Sequence, residues 1–290
     1  MGKSVALVLS SGGSKGLAHI GVINELEKQG FQITSVSGSS IGSVIGGLYA
    51  MGKLHEYTEW VSTFNKMDIW GFMDFTLTTN GLLKGERVFD KMKSFIPDMN
   101  IENMPIPFAA IATDILNEKE VVFTKGSFYE AARASVAIPA VFTPVKYNNT
   151  ILVDGGVLNP IPIKHVHRKN GDILIVVNLY GEKKADIPKE KNTDNGYLNR
   201  MINPLLTLIS TGDKGSKGYY SLLSSTTSAM IHKIAKMSIE KHKPDMIINI
   251  PSDSASTFDF YKAKELIELG EKAAAEAIRS FLSKTKGQIS

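Results

Sequence analysis

Short apolar runs, mostly β-branched and each ending at glycine or small polar residues, recur along the chain. Val5–Leu9, Ile33–Ser37 and Asp172–Asn178 have the length and composition of strands buried in a sheet. Phe108–Thr113, Val121–Thr124, Thr150–Val153 and Met246–Ile250 read as further strands, with Asn117-Glu118 turning the first two of these into a hairpin. Between them the period changes to that of helices. Leu17, Ile20, Ile23 and Leu26 make one apolar side of a helix over Leu17–Gln29. Ser43–Met51, Leu54–Asn65 and Glu86–Phe95 follow, the last stopped by Pro97. Ser127 is an N-cap with Glu130 at the capping-box position for a helix to Val136, and a helix is expected near Ile163–Arg168. Tyr197–Ile239 reads as helical, broken at Pro204 and at Gly212–Gly218. Ser256-x-x-Asp259 is expected to cap a final helix whose Ala263, Leu266, Gly270, Ala274, Ile278 and Phe281 share one stripe. Met67–Phe75 is rich in large apolar residues without a period and leads to a turn at Thr78–Gly81, and Gly181–Gly196 reads as a charged surface loop. Strands alternating with helices predict an α/β fold with a mainly parallel central sheet flanked by helices. No linker composition divides the chain, so one domain over residues 1–290 is expected, with a core at about 5–180 and a helical and C-terminal extension at about 197–283.

Three of the turns carry candidate chemistry. The second strand runs into Gly38-Ser39-Ser40-Ile41-Gly42 and then a helix, the context of a nucleophile elbow with Ser40 at its tip; the plain alternative is a Gly-Ser turn. After the first strand comes Ser10-Ser-Gly-Gly-Ser-Lys-Gly16, then a helix N-terminus. Such a loop presents backbone N–H groups to an anion, either a phosphate or a developing oxyanion. Gly-Lys-Ser/Thr and Gly-x-Gly-x-x-Gly are both absent. Turns that follow parallel strands share the carboxyl edge of the sheet, which brings the N–H groups of Gly12 and Gly13 toward Ser40. The third turn is Asp154-Gly155-Gly156, where a short strand delivers an aspartate at its end; an ordinary Asp-Gly turn has the same composition.

Composition narrows the classes. With 43% hydrophobic residues among 290, the chain can bury a sizeable core. The absence of cysteine excludes disulfides and thiolate metal sites. A net charge of +4 without a Lys/Arg block gives no footprint for nucleic acid. No apolar run approaches a membrane span, and Val5–Leu9 is too short for a signal-peptide core, so a cytoplasmic protein is expected. Trp70, Phe72 and Phe75, with Lys233, Lys236 and Lys241, are the candidates for peripheral contact with a membrane face; buried packing and a solvated face are the plain alternatives.

Taken together, these blocks resemble the patatin-like phospholipase family, of the compact bacterial kind. Ser11-Gly-Gly-Ser-Lys-Gly16 is similar to the family's oxyanion loop and Gly38–Gly42 to its nucleophile elbow. Ala134–Pro139 with Phe142-Thr-Pro144 is similar to its helix-to-strand segment, and Asp154-Gly155-Gly156 to its catalytic aspartate motif. Ser11 stands where the family usually has its first glycine, and Lys15 replaces the commoner arginine. The resemblance implies a lipid acyl hydrolase with a Ser-Asp dyad. Ser40 would be the nucleophile and Asp154 the proton acceptor. Gly12, Gly13 and Ser14 would form the oxyanion hole, with Lys15, Gly16, Gly38, Gly42, Gly155 and Gly156 as motif support. It implies an acyl-ester lipid as substrate, no metal and no cofactor. Two other classes fit parts of the pattern. One is a Ser-His-Asp α/β-hydrolase, in which His165 or His167 follows Asp154 in the right chain order. The other is a non-catalytic acyl-lipid binding protein.

Overall fold

The structure is a computed structural model that describes residues 3–74, 83–183 and 219–287. Its described strands are β1 (Lys3–Leu9), β2 (Phe31–Ser39), β3 (Phe108–Asp114), β4 (Lys119–Phe123), β5 (Val145–Tyr147), β6 (Thr150–Asp154), β7 (Ile173–Gly181) and β8 (Met246–Pro251). The helices are α1 (Ala18–Lys28), α2 (Ile41–Ala50), α3 (Leu54–Val61), α4 (Lys66–Phe72), α5 (Glu86–Lys93), α6 (Phe128–Ser135), α7 (Tyr219–His242) and α8 (Ala263–Gly287).

Among the described residues the strands form one eight-stranded sheet in the order β5-β6-β3-β2-β1-β7-β8, with β4 on β3. β3, β2, β1, β7 and β8 run parallel, whereas β4, β5 and β6 add antiparallel pairs at one side. Successive side chains of a strand point to opposite faces. Val5, Leu7 and Leu9 therefore enter the large core with α1, α2 and α8, while Ala6 and Val8 pack with Ile161, Leu174, Val176 and Ala235 of α7 on the other face. The expected mainly parallel sheet flanked by helices is the architecture found.

One register places the site. Ser39, at the end of β2, pairs with Ile111 of β3, and Asp154, at the end of β6, pairs with the next residue, Ala112. Both β2 and β6 lie opposite β4, which covers Ala110–Asp114 from the other edge. The same edge of β3 thus passes from β2 to β6 between adjacent residues, so the two chain ends meet head to head.

Several local expectations change. Met67–Phe75 is not irregular throughout: the Asn65 side chain accepts the N–H groups of Met67 and Asp68, Asp68 accepts that of Asn65, and this capping box starts α4. Phe75 and the turn at Thr78–Gly81 lie outside the described residues, as do 184–218, which hold most of the expected loop and the first part of the Tyr197–Ile239 helix. In place of a helix over Ile163–Arg168 there is a single 3-10 turn, Ile163–His165, and Val166 is extended. The turn closes with one bond, from the His165 N–H to the Pro162 carbonyl at 3.1 Å, and Val166 at ψ 134° takes the chain out of helical geometry. Ser256 and Asp259 do bond, but ahead of a 3-10 turn, Phe260–Lys262, rather than at the start of α8. No helix among the described residues is long and apolar enough to cross a membrane.

Candidate active site

Ser40 sits between β2 and α2 with φ 54° and ψ −127°, a backbone state that costs an L-residue about 1–3 kcal/mol. The surroundings hold it there. Its N–H donates to Ser135 Oγ at 2.9 Å, and its carbonyl accepts both the N–H of Ser43 at 2.8 Å and the Ser43 hydroxyl at 2.6 Å. The flanking glycines make the turn sterically feasible: a Cβ on Gly38 would lie 2.2 Å from the Gly42 carbonyl, and one on Gly42 would lie 2.3 Å from that of Leu9.

The Ser40 hydroxyl donates to Asp154 Oδ2 at 2.5 Å. Asp154 Oδ1 accepts the Gly156 N–H at 2.7 Å, so Gly156 orients the carboxylate. Gly155 tucks under Ile111, whose carbonyl would stand 2.1 Å from any Cβ there. Asp154 is only 5% exposed. Burial pushes its carboxyl up to about 6, against the opposing pull of the Ser40 hydroxyl and the Gly156 N–H. A carboxylate so placed is a stronger base than one in water.

The glycine-rich loop lies beside the elbow, with Gly16 packed on the side chain of Ile41. Its backbone donors divide into two groups. Ser11 N–H donates to the Pro160 carbonyl at 2.9 Å, and Ser14 N–H to the Thr257 carbonyl at 3.0 Å. The N–H groups of Gly12 and Gly13 have no acceptor among the described residues. Ser14, expected as a third oxyanion donor, is therefore committed elsewhere, and its hydroxyl also donates to the Ser256 carbonyl at 2.6 Å. The Ser256–Asp259 turn that resembles a helix cap serves as the clamp on this loop. Lys15 reaches the far side of the loop and donates to the carbonyls of Leu179 at 3.1 Å and Ser252 at 3.0 Å. Burial lowers its pKa, with Asp253 opposing. Ser11 Oγ bonds the hydroxyl of Tyr180, a phenol that burial pushes above its ordinary value.

The sequence reading missed Ser135, Tyr180 and Thr257. Each meets the site through a bond to residues 95 to 243 positions away, for which the local pattern carries no signal; the largest separation is Ser14 to Thr257, and the smallest Ser40 to Ser135.

Ser40 and Gly13 open into a cavity whose walls are almost wholly apolar and include Val44, Tyr57, Trp60, Phe72 and Phe89. Phe72 packs edge-on against Trp60 with ring centroids 5.5 Å apart. A long hydrocarbon chain matches such a lining. His165 is not part of this arrangement. Its Nε2 pairs with Glu120 Oε2 at 2.6 Å, His167 is exposed, and both line a separate cavity at the amino end of β3. Among the described residues no group of three or more His, Asp or Glu could hold a metal ion.

Comparison with known proteins supplies the context. VipD from Legionella pneumophila superposes with a TM-score of 0.47 and 12% identity, covering 97% of this chain and 67% of its own. An uncharacterised NTE-family protein of Mycobacterium bovis is 28% identical over 96% of this chain and 92% of its own length. A lysophospholipase of Meyerozyma guilliermondii is 28% identical over 98% of this chain, which spans 20% of that longer protein. The stretch from β1 past the aspartate turn, residues 7–167, matches the family model described as patatin-like phospholipase, and by that match over more than half of its length the chain belongs to the patatin-like phospholipase family.

Proposed function

We propose that this hydrolase cleaves the carboxylic ester of a phospholipid or lysophospholipid through an acyl-enzyme on Ser40, with Asp154 as the proton acceptor. The observation that carries the reading is the 2.5 Å bond from the Ser40 hydroxyl to a buried carboxylate, at the wall of an apolar cavity and beside two unspent N–H groups. Ser40 Oγ attacks the ester carbonyl carbon as its proton passes to Asp154 Oδ2. The carbonyl oxygen becomes the oxyanion and accepts hydrogen bonds from the Gly12 and Gly13 N–H groups. Collapse breaks the C–O bond to the alcohol, which leaves with the proton from Asp154. Water then repeats the sequence: Asp154 takes its proton, the hydroxide adds to the acyl carbon, and Ser40 departs reprotonated with a fatty acid as product. Asp154 serves as base because burial raises its basicity and the hydrogen bond fixes its direction.

Contact with a lipid surface follows from the same reading. On α7, Leu222, Leu223, Met230 and Met237 are exposed, and Lys233, Lys236 and Lys241 are exposed on the same helix. Apolar and basic residues on one helix suit the boundary of an anionic bilayer, which makes this helix the docking surface in this reading. Replacing Met230 and Met237 with Gln should reduce co-sedimentation with anionic vesicles, and undiminished binding would remove this helix from the docking surface.

Treatment with a fluorophosphonate followed by peptide mass spectrometry tests the core of the proposal. One adduct is expected, on the peptide carrying Ser40, and the Ser40→Ala protein should take none. An unreactive Ser40 in a folded protein would favour a lipid-binding role over hydrolysis.

A further inference from the structure

Among the described residues, the apolar cavity that Ser40 lines has a single charged residue in its wall, Arg133 of α6. Nothing in the acyl-transfer steps uses it. Its guanidinium is divided into a spent half and a free half. Nη2 donates to the carbonyl of Lys84, to the carbonyl of Thr143 at 2.9 Å and to the Thr143 hydroxyl at 3.0 Å. Nη1 is buried, and it has no acceptor among the described residues. An arginine cannot shed its charge to escape this situation, because its pKa stays far above neutrality. Burial lowers the pKa, and the nearby carboxylates of Glu86 and Asp74 oppose that shift without bonding Nη1. Asp74 is occupied otherwise: it accepts the backbone N–H groups of Gly85, Glu86 and Arg87 and so caps α5.

A buried donor left without an acceptor costs folding free energy, and the cost is larger for a charged group. Such a group calls for a physical reason, and one reason is an acceptor that arrives with a ligand. The ligand class follows from the geometry of the donor. A guanidinium edge with free N–H groups matches paired oxygens of a phosphate or a carboxylate. Arg133 lines the apolar cavity yet is itself only half-buried, which puts it where the cavity meets its solvent side. A lipid whose acyl chain fills the apolar end would bring its polar part to that side.

We propose that Arg133 is an anion subsite of the cavity, which binds the phosphate of a glycerophospholipid through Nη1 and makes the enzyme prefer phosphorylated lipid esters to neutral ones. This rests on the assignment of Ser40 as the nucleophile. A carboxylate of released fatty acid offers the same oxygens, so the experiment must separate substrate phosphate from product carboxylate.

The wild-type protein is assayed on p-nitrophenyl butyrate with octyl phosphate, octanoate and octanol as inhibitors, each below its critical micelle concentration. The ratio of kcat/KM for a lysophospholipid to that for the p-nitrophenyl ester is then compared among wild type, Arg133→Lys and Arg133→Gln. Octyl phosphate should inhibit best. The ratio should fall roughly ten- to a hundred-fold in Arg133→Gln, the range expected for a lost charge-assisted hydrogen bond, and less in Arg133→Lys. A purely structural role at Lys84 and Thr143 would lower both activities together and leave the ratio unchanged, which would overturn the proposal. Inhibition by octanoate that equals or exceeds that of octyl phosphate would assign the subsite to the product, and equal inhibition by octanol would remove it. If Arg133→Gln does not fold, the inhibitor series on wild type still decides the matter. Failure of the wild type to hydrolyse any ester would refute the Ser40 assignment instead, a result distinct from all of these.

Discussion

Ser135 stands directly behind Ser40: its hydroxyl oxygen accepts the Ser40 N–H at 2.9 Å, and its own proton goes to the Ile111 carbonyl at 2.5 Å. The hydroxyl thus ties the strained elbow to β3 at the residue where the strand edge passes from β2 to β6. Ser135→Ala leaves a buried N–H and a buried carbonyl short of a partner. The expected loss is about 1–3 kcal/mol of stability, read by urea unfolding. Ser135 does not line the cavity, so kcat for a soluble ester should fall about ten-fold, through misplacement of Ser40, with little change in KM. A fully active, equally stable variant would show that the elbow holds its geometry without this tether.

A second prediction concerns pH. The carboxyl of Asp154 is raised to about 6 because burial disfavours its charged form. As the proposed base it must be ionised, so kcat/KM should fall about ten-fold per pH unit below a midpoint near that value. Stability runs the other way. A raised folded-state pKa means that the folded protein holds this proton more tightly than the unfolded chain does. The associated stability is present in full below the ordinary carboxyl range and is lost as pH rises through about 6. Asp154→Asn escapes that loss. Relative to wild type, the variant should gain roughly 2–3 kcal/mol between pH 4 and pH 7.5. Urea unfolding at both pH values reads the difference; a constant offset would mean that the carboxyl titrates at its ordinary pKa.

The glycine-rich loop, the proposed oxyanion hole, gives a third. Gly13 has φ +62°, and a Cβ there would lie 3.0 Å from the Thr257 carbonyl that accepts the Ser14 N–H. Gly13→Ala should cost about 1–2 kcal/mol in backbone strain. By turning the neighbouring N–H groups away from the oxyanion, it should also reduce kcat by about 10²–10³. Single-turnover measurement of the acylation step isolates the effect. An unimpaired acylation rate would mean that the loop is only a turn.

These residues differ in how far the sequence discloses them. The elbow, the glycine loop and the aspartate turn are legible because each requirement is local: a strand that stops, glycines where backbones touch, and a side chain at the tip. Their meeting is not local. It depends on β6 joining antiparallel to the edge of β3 that β2 has just left, and nothing within Thr150–Asp154 dictates that direction. Arg133 and Ser135 lie on a helix whose pattern reads only as amphipathic, and their roles come from carbonyls supplied by distant segments. In contrast, α4 carries a local capping signature, Asn65-x-x-Asp68, although its apolar residues show no period. The clamp at Ser256 and Thr257 shows the opposite case. A local signature is present and the hydrogen bond forms, yet the turn holds Ser14 instead of starting a long helix.

The last prediction separates a dyad from a triad. A pH profile alone does not do so, because an aspartate raised to about 6 titrates close to an ordinary histidine at about 6.5. Substitution does. In a triad the aspartate only orients a histidine, which takes the serine proton. Here both carboxylate oxygens of Asp154 are engaged by Ser40 and Gly156, and His165 is held by Glu120 instead. Asp154→Asn should therefore lower kcat by several orders of magnitude, on the scale of other base deletions. His55→Gln, His165→Gln, His167→Gln, His232→Gln and His242→Gln should each retain most of the activity. His19 is left out of the series because it is buried with its Nε2 2.9 Å from the Ser10 carbonyl, where a replacement would loosen the end of β1. The variants are assayed together on one soluble ester, with circular dichroism as the check on folding. A folded His165 or His167 variant as inactive as Asp154→Asn would establish a histidine as the base and return Asp154 to an orienting role.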